Sequence, residues 1–446
     1  MAAERAHWGS KLGFVLAATG SAVGLGNIWG FPYMTGQNGG GVFILVYLLA
    51  VALIGLPIMM AEILIGRTAQ KSPVGAYREL SAPRSPWIGV GWVGVLAAFI
   101  ILSYYSVIAG WSMHFLWLSV TDGFVLANET EQAARESREA IAGLHGEVAG
   151  NPEVSTLWHI VFMVIVVGIV AAGIKGGIEL CTKVLMPALF GLMIILAIWA
   201  LTTDGAGLGV KFILGIHDAE LLEYLDERPA FTANSALAAV GQAFFSLSLG
   251  MGALITYGSY LRRNDDIVGT SVVITVLDVS VALIAAFVIF PIVFLAGLQP
   301  TDGPGLVFST LPVAFAEMPG GMVLAPLFFF LLSVAAITSG ISLLEVATSY
   351  FIDERGWTRI KAALFAGGVI LLLGIPSAVS ASSTLFGTGF ANFLGSIFGE
   401  AGEMSWFDAF VYLTYNLMLP IGGLGIALFA AWRLGDAARR EAFTTG

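Results

Sequence analysis

Two short segments of the chain combine glycines with side chains that can hydrogen-bond to the backbone. Residues 20–27 read Gly-Ser-Ala-Val-Gly-Leu-Gly-Asn, and residues 246–252 read Ser-Leu-Ser-Leu-Gly-Met-Gly. Because glycine costs up to about 1 kcal/mol per residue inside a helix, both segments are predicted to unwind locally. Unwound backbone offers carbonyl oxygens to a cation, and helix N-termini offer N–H groups to a carboxylate. Taken singly, each segment also fits close helix packing through small residues.

The elements that hold these segments belong to a membrane protein. Of the 446 residues, 57% are hydrophobic and only 11% are charged, whereas soluble domains carry roughly 25% charged residues. Apolar runs near the ~20 residues that a bilayer-spanning helix needs recur along the chain, and a barrel would show ~10-residue alternating segments instead. The composition predicts an all-α polytopic protein in a lipid bilayer. A net charge of −10 argues against nucleic-acid binding.

Ten transmembrane helices are predicted. They cover residues 11–33, 40–67, 88–120, 156–173, 179–202, 236–261, 268–298, 323–353, 361–378 and 406–433. If the N-terminus lies inside, most lysines and arginines fall on the inner side, as the positive-inside rule requires. Both termini are therefore expected in the cytoplasm, with the chain in the cell membrane. The first apolar run is interpreted as a span and not as a signal peptide, because its removal would invert this charge bias.

The two glycine-rich breaks occupy corresponding places in two halves of five spans. The first repeat covers about residues 11–202 and the second about 236–433, within a single transmembrane domain of residues 1–446. Five is odd, so the second half enters the membrane from the opposite side. Broken helices at matching positions of inverted halves, here spans one and six, indicate a binding site near the bilayer midplane.

Three acidic residues, Glu62, Asp278 and Glu345, fall inside predicted spans. Acids at membrane depth are functional candidates, because a charge there is costly. For Glu62 and Glu345 we favour the alternative, in which backbone donors in the helix bundle satisfy the carboxyl group.

Several motifs resemble the neurotransmitter:sodium symporter family. The matching stretches are residues 7–13, 20–29, 31–33 and 38–41, similar to its first two helices, residues 241–250 and 256–260, similar to its sixth, and residues 335–339, similar to its eighth. The resemblance implies the fold of the bacterial leucine transporter and symport of Na⁺ with an amino acid or amine. Family members usually have eleven or twelve helices, whereas this chain has room for ten. Dimer contacts of the family type through the last helices are therefore in doubt, and the oligomeric state is left open.

The resemblance implies two sodium sites, and Na⁺ is a hard cation that prefers oxygen ligands. Site 1 would use the Ala22 carbonyl, the side chains of Asn27, Ser246 and Asp278, and the substrate carboxylate. Site 2 would use the carbonyls of Gly20, Val23 and Ala335 with the hydroxyls of Thr338 and Ser339. The alternative for these two hydroxyls is a hydrogen bond to their own helix.

An amino-acid substrate would lie between the two breaks. Its carboxylate would face the Tyr105 hydroxyl and the backbone at the first break, and its ammonium group would face carbonyls at both breaks. The binding residues implied are Ala22, Leu25, Gly26, Ile101, Tyr105, Phe245, Ser246, Ser248, Met251, Ser339 and Leu343. Monoamine transporters of the family have an aspartate where this chain has Gly24, which favours an amino acid. The apolar pocket favours a neutral, hydrophobic or aromatic one.

The family's gates are only partly present. An inner ion pair is implied between Arg5 and Asp353, with Trp8 nearby, and an outer lid is implied from Tyr105 and Phe245. The outer ion pair is missing, because Gly30 stands where the family usually has arginine and Val411 where it has aspartate. What replaces this pair is left open.

Asp278 bears on chloride dependence. In chloride-dependent members an anion lies beside the sodium ion that contacts the substrate, and Tyr47, Gln242 and Ser246 match residues around it. The leucine transporter has asparagine where this chain has Asp278, so a fixed carboxylate is predicted to make chloride unnecessary. The alternative is a protonated, merely hydrogen-bonded Asp278. The chain is not expected to be an enzyme; the alternative function is a non-transporting amino-acid sensor on the same fold.

Overall fold

A computed structural model describes residues 6–121, 124, 130–225, 229–300, 307–380, 392–393, 395–397, 404–435 and 440. Within this part of the chain the secondary structure is helical, with no strand. The helices are α1 (Lys11–Ala22), α2 (Gly26–Gln37), α3 (Gly41–Ala69), α4 (Pro73–Leu80), α5 (Ile88–Thr121), α6 (Glu131–Gly150), α7 (Pro152–Ala171), α8 (Ile174–Ala200), α9 (Ala206–Leu214), α10 (Ala219–Tyr224), α11 (Ala233–Ser246), α12 (Ala253–Gly258), α13 (Val268–Leu295), α14 (Thr310–Glu317), α15 (Gly321–Arg355), α16 (Arg359–Val379) and α17 (Trp406–Arg433).

The predicted all-α polytopic membrane fold is confirmed. Among the described residues, eight helices are long and apolar enough to cross a bilayer, namely α3, α5, α7, α8, α13, α15, α16 and α17. Helices α1 and α2 form a ninth span that bends by 49° at its break. The sixth predicted span is divided into α11, with 14 residues, and α12, with 6, so neither part alone has the length of a span. The boundaries of the two repeats stay a prediction.

The first break lies within the predicted glycine-rich segment. Helix α1 begins after Ser10, whose side chain accepts a hydrogen bond from the Gly13 N–H at 3.0 Å, which satisfies a free donor of the first turn. It ends at Ala22, because Val23 has extended backbone angles, φ −71° and ψ 110°. The chain resumes a helical path at Gly26, so the N–H groups at the start of α2 face the break.

The second break requires left-handed backbone at three positions. Gly250 and Gly252 have φ of 81° and 73°, and Ser248 has φ of 54°. A serine in this region is strained, and such residues cluster at functional sites. The hydroxyl of Ser248 donates to the Ser21 carbonyl at 2.8 Å, which ties the second break directly to the first.

Two of the three predicted intramembrane acids hold the bundle together. Glu62 accepts a hydrogen bond from the Gly250 N–H at 2.7 Å, so a backbone donor stabilises the second break as predicted. For Glu345 the prediction of backbone donors is wrong, because this fully buried carboxyl group has side-chain donors as its partners. The Tyr260 hydroxyl donates to it at 2.6 Å, and the Arg359 guanidinium donates to both carboxylate oxygens at 2.8 Å.

Candidate functional site

A cavity lies between the two breaks, with α5 and α15 on its sides. It is lined by Ser21, Ala22, Gly24, Leu25, Gly26, Ile101, Tyr105, Phe245, Ser248, Met251, Ser339 and Leu343. The predicted substrate-binding residues therefore all border it except Ser246, which lies in the cluster around Asp278. Sequence reasoning missed Ser21, although it lies in the middle of the first break. The structure brings these residues together; their part in binding stays a prediction.

The first break presents polar hydrogens beside the cavity. The Leu25 N–H donates to the Tyr105 hydroxyl oxygen at 3.4 Å, and the Gly24 N–H donates to Oδ1 of Asn27 at 3.1 Å. The first of these bonds is long, and a carboxylate would be a stronger acceptor than a phenol oxygen. This corner of the cavity therefore has the donors that a substrate carboxylate needs.

Glycine is required at two positions of the first break by close contacts. A Cβ at Gly24 would lie 2.4 Å from the Ser339 Oγ and 3.0 Å from the Tyr105 hydroxyl oxygen. A Cβ at Gly26 would lie 2.7 Å from Cδ1 of Phe245. An aspartate at position 24 would thus need these neighbours to move.

Three side chains predicted for sodium site 1, those of Asn27, Ser246 and Asp278, form one buried cluster. Asp278 is fully buried, and its Oδ1 accepts from Nδ2 of Asn27 at 2.7 Å. Its Oδ2 accepts from the Ser246 hydroxyl at 2.7 Å, and the Tyr47 hydroxyl lies 3.2 Å from the Ser246 Oγ. The cluster is rich in oxygen and contains one carboxylate. Oxygen ligands suit a hard cation better than a soft transition metal.

The residues predicted for sodium site 2 meet where α15 passes the first break. The Ser339 Oγ lies 3.4, 3.2 and 3.2 Å from the carbonyl oxygens of Gly20, Ser21 and Val23. One hydroxyl can donate to only one of them at a time, so lone pairs of the others are left for a cation.

Thr338 behaves differently from its neighbour. Its hydroxyl donates within its own helix, to Ala335 O at 3.0 Å and Val334 O at 3.3 Å. Its Cβ nevertheless lies 3.1 Å from where a Cβ of Gly20 would be, so α15 and α1 are in close contact here. The own-helix alternative thus describes Thr338, whereas Ser339 bonds across the break.

The structure describes two of the three residues predicted for the inner gate, Trp8 and Asp353. At the α1 end, the buried Trp8 donates from its Nε1 to the Tyr257 carbonyl at 3.0 Å and packs edge-on against the Tyr257 ring. Asp353 accepts from the Ser72 N–H at 2.5 Å. Arg5 lies outside the described residues, so its predicted pairing with Asp353 stays a prediction.

At the α2 end, the space beside Gly30 is open. A Cβ added there would meet only ordinary contacts, the nearest at 3.6 Å from Oε1 of Gln242. Gln242 in turn donates from Nε2 to the Gly26 carbonyl at 2.7 Å. Gln242, which matches a residue around the chloride ion in the family, therefore stabilises the start of α2 in this structure.

Comparison with known proteins places these features in context. Residues 5–139 and 139–385 match the model of the sodium:neurotransmitter symporter family. An uncharacterized sodium-dependent transporter of Bacillus subtilis, YhdH, is 38% identical over 437 residues, covering 97% of this chain and 88% of that protein. The mouse sodium- and chloride-dependent neutral and basic amino acid transporter B(0+) is 28% identical over 436 residues, covering 83% of this chain and 67% of that protein.

A solved structure is similar along nearly the whole chain. The crystal structure of MhsT in complex with L-phenylalanine shares 43% of residues with this chain and has a TM-score of 0.83. The match covers 98% of this chain and 93% of the MhsT chain.

Proposed function

The chain belongs to the sodium:neurotransmitter symporter family, and from this premise we propose that it imports a neutral, hydrophobic or aromatic amino acid by symport with Na⁺. Membership makes it a sodium-dependent membrane transporter and not an enzyme. The observation that supports the finer proposal is the cavity between the two breaks, which has backbone donors at one corner and apolar side chains around the rest. A similar protein, MhsT, has been crystallised with L-phenylalanine.

The two breaks would bind opposite ends of the substrate. The carboxylate would accept from the backbone at Leu25 and Gly26 and from the Tyr105 hydroxyl, whereas the ammonium would donate to carbonyls at Ala22, Phe245 and Ser248. The side chain would contact the apolar residues Ile101, Phe245, Met251 and Leu343. Closing such a site removes water from these polar contacts, which strengthens them.

Two sodium ions would be co-transported. The first would be bound by the Ala22 carbonyl, Asn27, Ser246, Asp278 and the substrate carboxylate, which couples ion and substrate through a shared contact. The second would be bound by Gly20, Val23, Ala335, Thr338 and Ser339, which joins α1 to α15 in one conformation. A ligand shifts a conformational equilibrium only by its differential affinity for the two states, and this site exists only while the two helices are adjacent.

We also propose that transport is independent of chloride and that both termini face the cytoplasm. The carboxylate of Asp278 accepts from Asn27 and Ser246, two side chains assigned to the first sodium site. A fixed negative charge at that position would balance the ion without a second anion. The orientation follows from the concentration of lysine and arginine in the loops on one side.

Substrate competition tests the proposed pocket. In proteoliposomes with an inward Na⁺ gradient, unlabelled leucine, methionine, phenylalanine or tryptophan should compete with uptake of labelled phenylalanine. Aspartate and lysine should not, because burying a charged side chain among apolar groups is costly. Dopamine should not, because it lacks the carboxylate that would accept from the backbone at the first break. Replacing Na⁺ by choline is the control. If a charged amino acid or dopamine competes best, the assignment is wrong; if phenylalanine binds but does not accumulate, the chain is a sensor.

The proposed sodium sites predict weaker apparent Na⁺ affinity in two variants. Asn27→Ala removes a side chain of the first site, and Ser339→Ala removes the hydroxyl at which three carbonyls converge. Each should raise the Na⁺ concentration for half-maximal uptake about tenfold, since a lost ligand to a cation costs about as much as a charge-assisted hydrogen bond. Ser349→Ala is a matched control, because among the described residues its buried hydroxyl bonds only to Val346 O of the same helix. If the Na⁺ concentration for half-maximal uptake is unchanged in both site variants, the assignment of these residues to the sodium sites is wrong.

A further inference from the structure

Helix α17 contains a π-helical turn that places an aromatic residue next to the substrate cavity. The turn covers Leu413–Met418, and the Leu419 N–H bonds to the Thr414 carbonyl, five residues earlier. Such turns redirect side chains and occur frequently at functional sites. Within it, the Tyr415 ring lies 5.6 Å from the Phe245 ring, tilted by 48°.

The Tyr415 ring lies across a glycine of α11. A Cβ at Gly241 would lie 3.0 Å from Cε1 of Tyr415 and 3.4 Å from its hydroxyl oxygen. On its other side, Phe245 lies against Gly26 at the wall of the cavity. From the cavity outward, the order of contacts is therefore Gly26, Phe245 and Tyr415, which connects α2 to α17 through two aromatic rings.

These contacts lie at the end of the cavity that lacks the family's outer ion pair. Gly30 has no side chain, and Val411 lies one turn before Tyr415 on α17. We propose that Tyr415 replaces the ion pair as the residue that closes the outer side over the substrate, with its ring and its hydroxyl acting in opposite directions. The inference rests on the proposed amino-acid transport and assigns a gating residue to that site.

The ring favours the closed state because it packs on Phe245 and Gly241 only while α11 and α17 are adjacent. The hydroxyl favours the open state. Its oxygen is fully buried and has no hydrogen-bond partner among the described residues. A buried, unpaired hydroxyl is unfavourable relative to a hydrated one, and water would reach it when the two helices separate. The Tyr415 ring thus stabilises the closed state, and the unpaired hydroxyl limits that stability so that the site can open.

Two variants at this one position should change substrate release in opposite directions. Tyr415→Phe removes only the unpaired hydroxyl, so labelled phenylalanine should leave the purified, sodium-loaded protein at least about fivefold more slowly. Tyr415→Ala removes the ring, so release should be about tenfold faster or more. Release is measured by dilution into excess unlabelled phenylalanine at saturating Na⁺, and size-exclusion profiles confirm that each variant is folded.

A neighbouring tyrosine provides the control. The Tyr104 hydroxyl lies 3.1 Å from Oγ1 of Thr414, so Tyr104→Phe loses a hydrogen bond and should not slow release. A Tyr415→Phe variant that releases substrate as fast as the natural protein, or faster, would overturn the inference, as would an alanine variant with unchanged release. If the natural protein binds no amino acid in Na⁺, the proposed function fails instead, and that result is distinct.

Discussion

Replacing Asp278 by asparagine is expected to abolish sodium-driven uptake at ordinary sodium concentrations. The side chain keeps its size but loses its charge. Two unit charges ~4 Å apart attract by ~4 kcal/mol at an effective dielectric of 20, so apparent Na⁺ affinity should fall by about 100-fold or more. Asparagine would also present an N–H₂ group to Asn27 or Ser246, both of which now donate to the carboxylate.

The same substitution is expected to change the chloride dependence of uptake. In Asp278→Asn, the amide can turn its N–H₂ group toward Ser246, whose hydroxyl then loses its present acceptor, and the Tyr47 hydroxyl lies 3.2 Å from the Ser246 Oγ. These two hydroxyls would then be free to donate to an anion, so chloride should partly restore uptake in the variant. In the natural protein an added chloride would be repelled by the carboxylate, and uptake should be the same in chloride and in gluconate.

The measurement is initial uptake of labelled phenylalanine against Na⁺ concentration, in chloride and in gluconate, for both proteins. Asp204→Asn is a matched control, because Asp204 is exposed in the loop after α8 and the same chemical change is made there. A large fall of uptake in gluconate by the natural protein would show that Asp278 does not act as the built-in anion. Full activity of Asp278→Asn would show that the Asp278 carboxylate is not a ligand of the first sodium site.

The spans and the breaks were accessible from sequence because they follow from local chemistry. Bilayer thickness fixes the length of apolar runs, and glycine with serine weakens a helix wherever it occurs. The first break therefore falls within residues 20–27 and the second within 246–252, as predicted. Local chemistry did not reveal that Ser248, and not only the glycines, has left-handed backbone, because that strain is compensated by a bond to Ser21 in the other break.

Long-range partners were not accessible in the same way. Glu345 was expected to find backbone donors in the helix bundle, and nothing local indicates that the side chains of Arg359 and Tyr260 reach it from two other elements. The π-helical turn around Tyr415 has no recognised sequence signal, so the loss of arginine at Gly30 could be noticed without its replacement being found. Residue types could suggest the site, whereas the contact between Tyr415 and Phe245, on which the proposed outer closure rests, is visible only in the packing.

Breaking the pair between Glu345 and Arg359 is expected to have the largest effect on stability. Glu345 is fully buried, and its two carboxylate oxygens accept hydrogen bonds from the two terminal guanidinium nitrogens of Arg359 at 2.8 Å. Arg359 also donates to the Val170 carbonyl at 3.2 Å. Removing one partner leaves an uncompensated buried charge, which costs about 3–5 kcal/mol. Glu345→Gln and Arg359→Met should each lower the melting temperature of the purified protein strongly, measured by fluorescence-detected size exclusion.

The double variant Glu345→Leu/Arg359→Met decides whether the loss reflects an isolated charge or a lost contact. It removes both charges and keeps similar side-chain volumes, so the desolvation penalty disappears with the attraction. The Tyr260 hydroxyl then lacks its acceptor, which costs about 1–3 kcal/mol. The double variant should therefore melt below the natural protein but above either single variant. If it melts lower than both, the pair contributes net stability of its own, and the stranded-charge explanation is wrong.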